Sequence, residues 1–293
     1  MMSYCHTPAD LEGFAWFSCY LTTNTHFSFY WSFVTVLLLV FITAPVALLF
    51  GFGGAVAKRS AFLPLRWFGK IYTNMVRGVP ELIFFLFVPI ALDQGFEYIR
   101  YKLLCEDSSA PVYQGNDFVV CAAAKLPLST ADAWVHTTYN FSLAVLAFAI
   151  VFGAFASNVI DGALSAVPKN QLETASAYGL SKRQTFWRIH VPQMWGFALA
   201  GLSNLWLILI KATPLLFILG IEDIVYWAGY LGKTKTSFFA YPHGDWRIWY
   251  FSALLVFYVL MTYGSEKIIN RLSRRFSKGQ ATLGANEDRA AAA

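Results

Sequence analysis

Charged residues are absent from long blocks of this chain. No Asp, Glu, Lys or Arg occurs from Gly13 to Ala57, from Ala133 to Ile160, or from Ile189 to Ile210. An uncharged apolar run of about 18 residues or more can cross a bilayer as a helix. The pattern predicts five spans, near 29–54, 68–92, 140–163, 194–220 and 247–266. The second is the least regular: Lys70, Arg77 and Glu81 crowd its first half, and only Leu82 to Leu92 is free of charge. Between the third and fourth spans the character changes. Between Pro168 and Pro192, residues recur at helical spacing, first Leu172, Ala175, Tyr178 and Gly179, then Phe186, Ile189 and His190. Pro168 and Pro192 are expected to punctuate this stretch. Gly179 costs about 1 kcal/mol inside a helix relative to alanine, so two short helices broken at Gly179-Leu180-Ser181 are predicted.

Composition agrees with a membrane protein. The chain is 57% hydrophobic and 13% charged, against about 45–50% and about 25% in soluble domains. The first 26 residues show no basic segment and no small-residue cleavage site, so the first span is expected to act as its own targeting signal. Lys and Arg then set the orientation. The N-terminal segment has none up to Trp31, whereas the first loop holds Lys58, Arg59, Arg66 and Lys70. The 93–139 loop sets Arg100, Lys102 and Lys125 against six acids, and the 165–190 loop holds Lys169, Lys182, Arg183 and Arg188 against one. The tail is basic again, from Lys267 onward. The N-terminus is therefore expected outside and the C-terminus in the cytoplasm. The net charge of +5 follows from this topology, and no nucleic-acid partner is expected.

All four cysteines, Cys5, Cys19, Cys105 and Cys121, fall on the expected outer side, where disulfides persist. A Cys105–Cys121 bridge would close a loop of about 15 residues, worth ~3 kcal/mol in the chain-entropy model. Two free thiols are the alternative. The cysteine spacings resemble no metal site. The five histidines are scattered and read as solvated or interfacial. Neither a phosphate-binding loop nor a hydrolase or metalloprotease motif is present. No catalytic residue, metal or cofactor is assigned to this chain. Charges inside spans are costly and point to function. On that ground Lys211, with Thr213-Pro214 after it, and Glu81 are expected to line a translocation path, with Asn204 and Trp206 as further candidates. Structural pairing or snorkelling is the alternative for both charges.

The spacing Glu173, Ala175, Gly179, Ile189, Pro192 resembles the signature E-A-A-x3-G-x9-I-x-L-P of bacterial ABC-importer permeases, with Thr174 and Val191 as mild departures. "VRGVPELIFFLF" (Val76 to Phe87), "GALSAVPKNQLETA" (Gly162 to Ala175), "LSNLWLILIKATPLLFILGIEDIV" (Leu202 to Val225) and "AGYLGKT" (Ala228 to Thr234) resemble segments of polar amino acid permeases. The likeness is to the Q-type subunits of histidine, lysine, arginine and octopine systems. It covers about 30–275, interrupted by a 93–139 loop that is long for the family. Asn158 and Asp161 depart from the usual Glu and Arg, and no substrate role is carried onto them.

The resemblance implies an all-α transmembrane domain of the type I importer fold at 29–270. Around it lie an outer segment at 1–28, an extended periplasmic loop at 93–139, a coupling segment at 168–192 and a cytoplasmic polar tail at 271–293. It further implies a multi-pass inner-membrane subunit for polar, preferably cationic, amino acids or opines, working by alternating access. The implied partners are a second, homologous permease chain, two ATPase subunits carrying ATP and Mg, and a periplasmic substrate-binding protein. The rival reading is a secondary transporter or channel without an ATPase.

Overall fold

The computed structural model describes Cys5 and residues 11–75, 78–106 and 111–276. The chain is helical almost throughout. In order it forms α1 (Gly13–Leu21), α2 (Asn24–Lys58), α3 (Leu63–Met75), α4 (Glu81–Leu104), a small antiparallel hairpin of β1 (Tyr113–Gln114) and β2 (Asp117–Phe118), and α5 (Ala133–Ala166). There follow α6 (Lys169–Ala177), α7 (Lys182–Thr185), a π-helical turn at Phe186–His190, α8 (Val191–Ala212), a 3-10 helix at Thr213–Leu219, α9 (Ile224–Gly232) and α10 (Arg247–Phe276). Among the described residues, five helical segments are long and apolar enough to cross a membrane: Asn24–Lys58, Leu82–Leu104, Ala133–Ala166, Lys182–Phe217 and Arg247–Arg274.

Four spans fall where the charge-free runs predict them, with longer helices around them. The second does not. In place of one helix at 68–92 the structure has α3, a break at Gly78-Val79-Pro80, and α4 running on to Leu104. Pro80 caps α4, and a proline there forfeits only an N–H that a helix start leaves unpaired in any case. Asp93, Glu97 and Arg100, assigned to a loop by their charge, belong to α4 because each has a partner. Tyr139 Oη donates to Asp93 at 2.6 Å. Glu97, 1% exposed, accepts from Leu126 N–H at 2.9 Å and pairs with Lys125 at 3.3 Å. Arg100 donates to the carbonyls of Ala123 and Ala124. The irregular connection therefore shrinks from 93–139 to 105–132, and it is tacked along α4 by these bonds. Cys105 and Cys121 are joined by a disulfide, as are Cys5 and Cys19.

The fold divides into two compact units, one drawn from Met1–Thr43, Pro80–Phe148 and Lys211–Tyr258, the other from Ala44–Val79, Ala149–Ile210 and Val259–Ala293. The first unit holds both disulfides. In one of its clusters Phe29, Val36, Ile224, Ala228, Leu231 and Leu254 bring α2, α9 and α10 together. Beside it runs a hydrogen-bonded chain that the sequence does not announce. The carbonyl of Gly244 only accepts, so His243 Nδ1 donates to it (2.7 Å). His243 Nε2 then accepts from Tyr20 Oη (2.9 Å), and Tyr20 accepts from Tyr250 Oη (3.2 Å). Tyr250 accepts from His26 Nε2 (2.7 Å), leaving His26 Nδ1 to accept from Thr23 Oγ1 (2.8 Å). Each ring donates once and accepts once. His26 is 1% exposed and His243 9%, which overturns the reading of these two histidines as solvated or interfacial.

In the second unit α2 and α5 meet through residues with almost no side chain. A Cβ on Gly153 would stand 2.6 Å from Phe50 Cβ and 2.6 Å from Tyr72 Oη, and one on Gly51 would stand 2.7 Å from Ala156 Cβ. Close approach through glycine and alanine is how helices associate where lipid supplies no hydrophobic drive between them. Tyr72 Oη donates to the Ile150 carbonyl at 2.7 Å, bringing α3 onto the same seam. At its end, Lys58 and Arg59 each reach Asp161 at 2.7 Å, while Asn158 Nδ2 donates to the Thr73 carbonyl at 3.0 Å. The two departures from the family pattern thus hold α2 and α3 to α5.

Gly153→Val is expected to destabilise the protein by about 1–3 kcal/mol, the usual cost of overpacking. Gly162→Ala, where a Cβ meets nothing within 4 Å, should be neutral or slightly stabilising. Thermal unfolding in detergent, followed by gel filtration, separates the two. A second expectation concerns Asp223, which caps α9 by accepting from Val225 N–H (3.1 Å) and Tyr226 N–H (2.9 Å). Burial pushes its carboxyl up to about 6, against the opposing pull of those amides. Its other oxygen finds no partner among the described residues. With the folded value above the unfolded one, this group's contribution is fully present below about pH 4 and is lost as pH rises through about 6. The melting temperature should fall between pH 5 and 7.5 by an amount that Asp223→Asn, which keeps the capping oxygen, removes. An unchanged pH profile in the variant would contradict this.

Candidate functional site

The amphipathic stretch between the third and fourth spans becomes a rigid helix–turn–helix. Pro168 caps α6. Its far end closes by a Schellman turn, with Gly179 N–H donating to the Ser176 carbonyl (3.0 Å) and Leu180 N–H to the Ala175 carbonyl (3.1 Å). Gly179 sits at φ +80°, a left-handed conformation that side chains rarely adopt. Nothing in this chain lies within 4 Å of a Cβ built there, so conformation, and not crowding within the subunit, requires glycine. Next comes a capping box: Ser181 Oγ accepts from Gln184 N–H (3.4 Å) and Gln184 Oε1 from Ser181 N–H (2.9 Å). The break lies where the sequence predicts it.

Pro192 does not end the helix. The chain is helical from Lys182 through Phe217, and the turn at Phe186–His190 widens to π spacing just before the proline, with Val191 N–H reaching the Phe186 carbonyl. A π-bulge re-routes the bonds where Pro192 lacks a donor and its ring would press on the carbonyl four residues back. His190 Nε2 donates to the Leu164 carbonyl (2.7 Å), tying the turn to the end of α5. Below lies a core of Ala55, Ile160, Leu164, Val167, Met194 and Ala198, against which Leu172 and Phe186 pack. Ala175 is buried and Ile189 half-buried, whereas Glu173, Gly179 and Pro192 face outward. Tyr178, 82% exposed, and Trp187, 53% exposed, project beside them. A seated scaffold with an exposed aromatic edge suits docking of a protein partner.

The proposed path residues are distributed over both units. Asn204 is exposed on α8 and Trp206 borders a small apolar cavity of about 90 Å³ with Leu48, Phe152 and Ala156, all within the second unit. Lys211 and Thr213 belong to the first. Lys211 is exposed at the last turn of α8, where the helix tightens to 3-10 at Thr213-Pro214. Thr213 is buried and shares a hydrogen bond with Tyr258 Oη at 2.8 Å. The 3-10 segment packs against α4, the helix that Glu81 begins. Arg77 and the Glu81 side chain lie outside the described residues. No cluster of three metal-ligating side chains occurs among the described residues.

Residues 47–278 match the family described as binding-protein-dependent transport system inner membrane component. The chain is 30% identical over 224 residues to the arginine ABC transporter permease protein ArtQ of Escherichia coli K12, covering 76% of this chain and 84% of that protein. It is 27% identical over 248 residues to the histidine/lysine/arginine/ornithine transport system permease protein HisQ of Salmonella typhimurium, covering 84% and 92%. A third relative is the nopaline transport system permease protein NocQ of Agrobacterium fabrum, 31% identical over 195 residues, covering 66% and 72%. The fold is shared with a solved chain titled "Crystal structure of an amino acid ABC transporter with histidines", at a TM-score of 0.59 and 18% identity over 85% of this chain and 94% of that one. Seated coupling-type segment, five spans and relatives agree: the chain belongs to the binding-protein-dependent transport system inner membrane component family, as a multi-pass permease subunit of the inner membrane.

Proposed function

We propose that this permease carries cationic amino acids or opines inward, driven by separate ATPase subunits that dock on the segment from Lys169 to His190. The observation that carries this reading is the helix–turn–helix itself, capped at its turns, seated on a buried core and exposing Tyr178 and Trp187. A lever must be stiff at its base and accessible at its tip. The relatives' names, for arginine, for histidine, lysine, arginine and ornithine, and for nopaline, support the cationic class of substrate. A channel or secondary transporter finds no support among them.

The orientation proposed for the working protein places the disulfide-bonded segments at Cys5–Cys19 and Cys105–Cys121 outside, and the helix–turn–helix in the cytoplasm with Lys182, Arg183 and Arg188. A substrate-binding protein delivers the amino acid outside. A second permease chain completes the enclosure, and ATP with Mg stays on the ATPase partners. Closure of those partners favours one of two permease states only if their contacts differ between the states. The exposed edge of α6 and the π-turn supply such contacts. Glu81 and Lys211 are assigned to the path, Glu81 toward the substrate's cation and Lys211 toward its carboxylate, beside Thr213; Asn204 and Trp206 extend it along α8.

In the reconstituted complex, Gly179→Arg and Glu173→Lys should leave membrane insertion intact and abolish most of the ATP hydrolysis stimulated by loaded binding protein. The first strains the left-handed turn and adds bulk at the tip; the second reverses a charge on the exposed face of α6. Lys211→Met should keep ATPase association while lowering uptake of substrates with a free carboxylate, by about 1–3 kcal/mol of lost charged hydrogen bonding. Wild-type stimulation in both helix variants would overturn the assignment of the coupling element.

A further inference from the structure

A cavity of about 620 Å³ opens in the first unit between the N-terminal part of α2, the start of α5 and the segment leading into α9. Its volume is that of a small-molecule site, and none of the residues assigned above to the path is among its lining. Ser32, Thr35 and Thr137 line it, and each hydroxyl proton is already committed to its own helix. Ser32 Oγ donates to the Phe29 carbonyl (2.6 Å), Thr35 Oγ1 to that of Trp31 (3.4 Å) and Thr137 Oγ1 to that of Ala133 (3.1 Å). Toward the cavity those oxygens have only lone pairs to offer. Glu222 adds the single formal charge of the lining, and no Lys, Arg or His lines the cavity among the described residues.

Two indoles, Trp31 and Trp227, stand in the wall beside Phe27 and Phe141, with Ser28 as a further hydroxyl, and an indole face attracts a cation. Asn140 keeps an amide that can donate, a suitable partner for a carboxylate. The lining is thus rich in acceptors, negative at one point and aromatic at its sides.

We propose that this cavity is a reception site for a donor-rich cation, a guanidinium or primary ammonium group, with Glu222 as its counter-ion. The identification of that cation as the side chain of the transported amino acid rests on the proposed importer function; the chemical class rests on the lining alone. Binding at the first unit would hold the cationic end of an incoming amino acid before the path residues engage it.

The test is calorimetric titration of the full-length chain in lipid nanodiscs with arginine, with agmatine, which lacks the carboxylate, and with citrulline, its neutral isostere. Arginine and agmatine should saturate the site, and citrulline should bind at least about tenfold more weakly. Glu222→Gln should weaken both cations at least about tenfold. Thr35→Val, which removes one acceptor with little change in volume, should weaken them by a smaller factor, and unchanged melting temperatures exclude misfolding. Equal binding of citrulline, or wild-type affinity in both variants, would overturn the proposal. If the complete complex imports no cationic amino acid while agmatine still binds in a Glu222-dependent way, the importer's substrate assignment falls and the cation site stands.

Discussion

Inside hydrocarbon every backbone N–H and C=O must find its partner within the protein, because no water is there to take it. Among the described residues, three departures along the long helices are each relieved in a different way. The 3-10 stretch at Thr213–Leu219 ends on Gly220, whose N–H returns to the Phe217 carbonyl at 3.1 Å. The π-turn at Phe186–His190 re-routes its bonds ahead of Pro192. Pro80 begins α4 where a helix start has donors to spare. Several residues proposed to touch substrate or partner lie at or beside these departures, namely Lys211 and Thr213, Ile189 and Pro192, and Glu81, whereas Asn204 and Trp206 lie within regular α8.

The second constraint is close packing without hydrophobic drive. Gly51, Gly54 and Gly153 leave no room for a side chain where α2, α3 and α5 meet, and Tyr72 and the Asp161 ion pairs hold the meeting in register. The core under α6 and the π-turn shares Ala55 of α2 and Ile160 and Leu164 of α5 with that seam. Force applied to the exposed turn at Tyr178 thus acts on a base that resists deformation. A loosely packed base would absorb the same displacement locally.

Much of this was legible from residue order, and the exceptions have physical causes. Absence of charge over more than a helical span located four spans, since nothing but a helix satisfies such a run in lipid. The second span was displaced because Asp93, Glu97 and Arg100 are charged yet paired, with Tyr139, with Leu126 and Lys125, and with two carbonyls. Pairing across 23 to 46 residues has no local signature. His26 and His243 escaped for the same reason: their partners Tyr250 and Tyr20 are more than two hundred residues away. The turn at Gly179 was readable, because glycine followed by Ser-x-x-Gln is a local stop-and-start signal. The π-turn was not, since a proline in sequence marks the disturbance and leaves open whether the helix ends or bulges. The cavity beside Glu222 was likewise hidden, for it gathers α2, α5 and the entry to α9.

The segment around Gly179 is proposed as the surface through which a separate motor acts. Both pairs of native cysteines are tied in disulfides, so Tyr178→Cys places one free thiol at a position 82% exposed. Labelled there with a short photo-reactive maleimide in the intact membrane complex, the chain should form a single adduct with the ATPase subunit. Its yield should change when ATP is added. Adducts with lipid alone, or with the second permease chain alone, would show that this surface is not the coupling element.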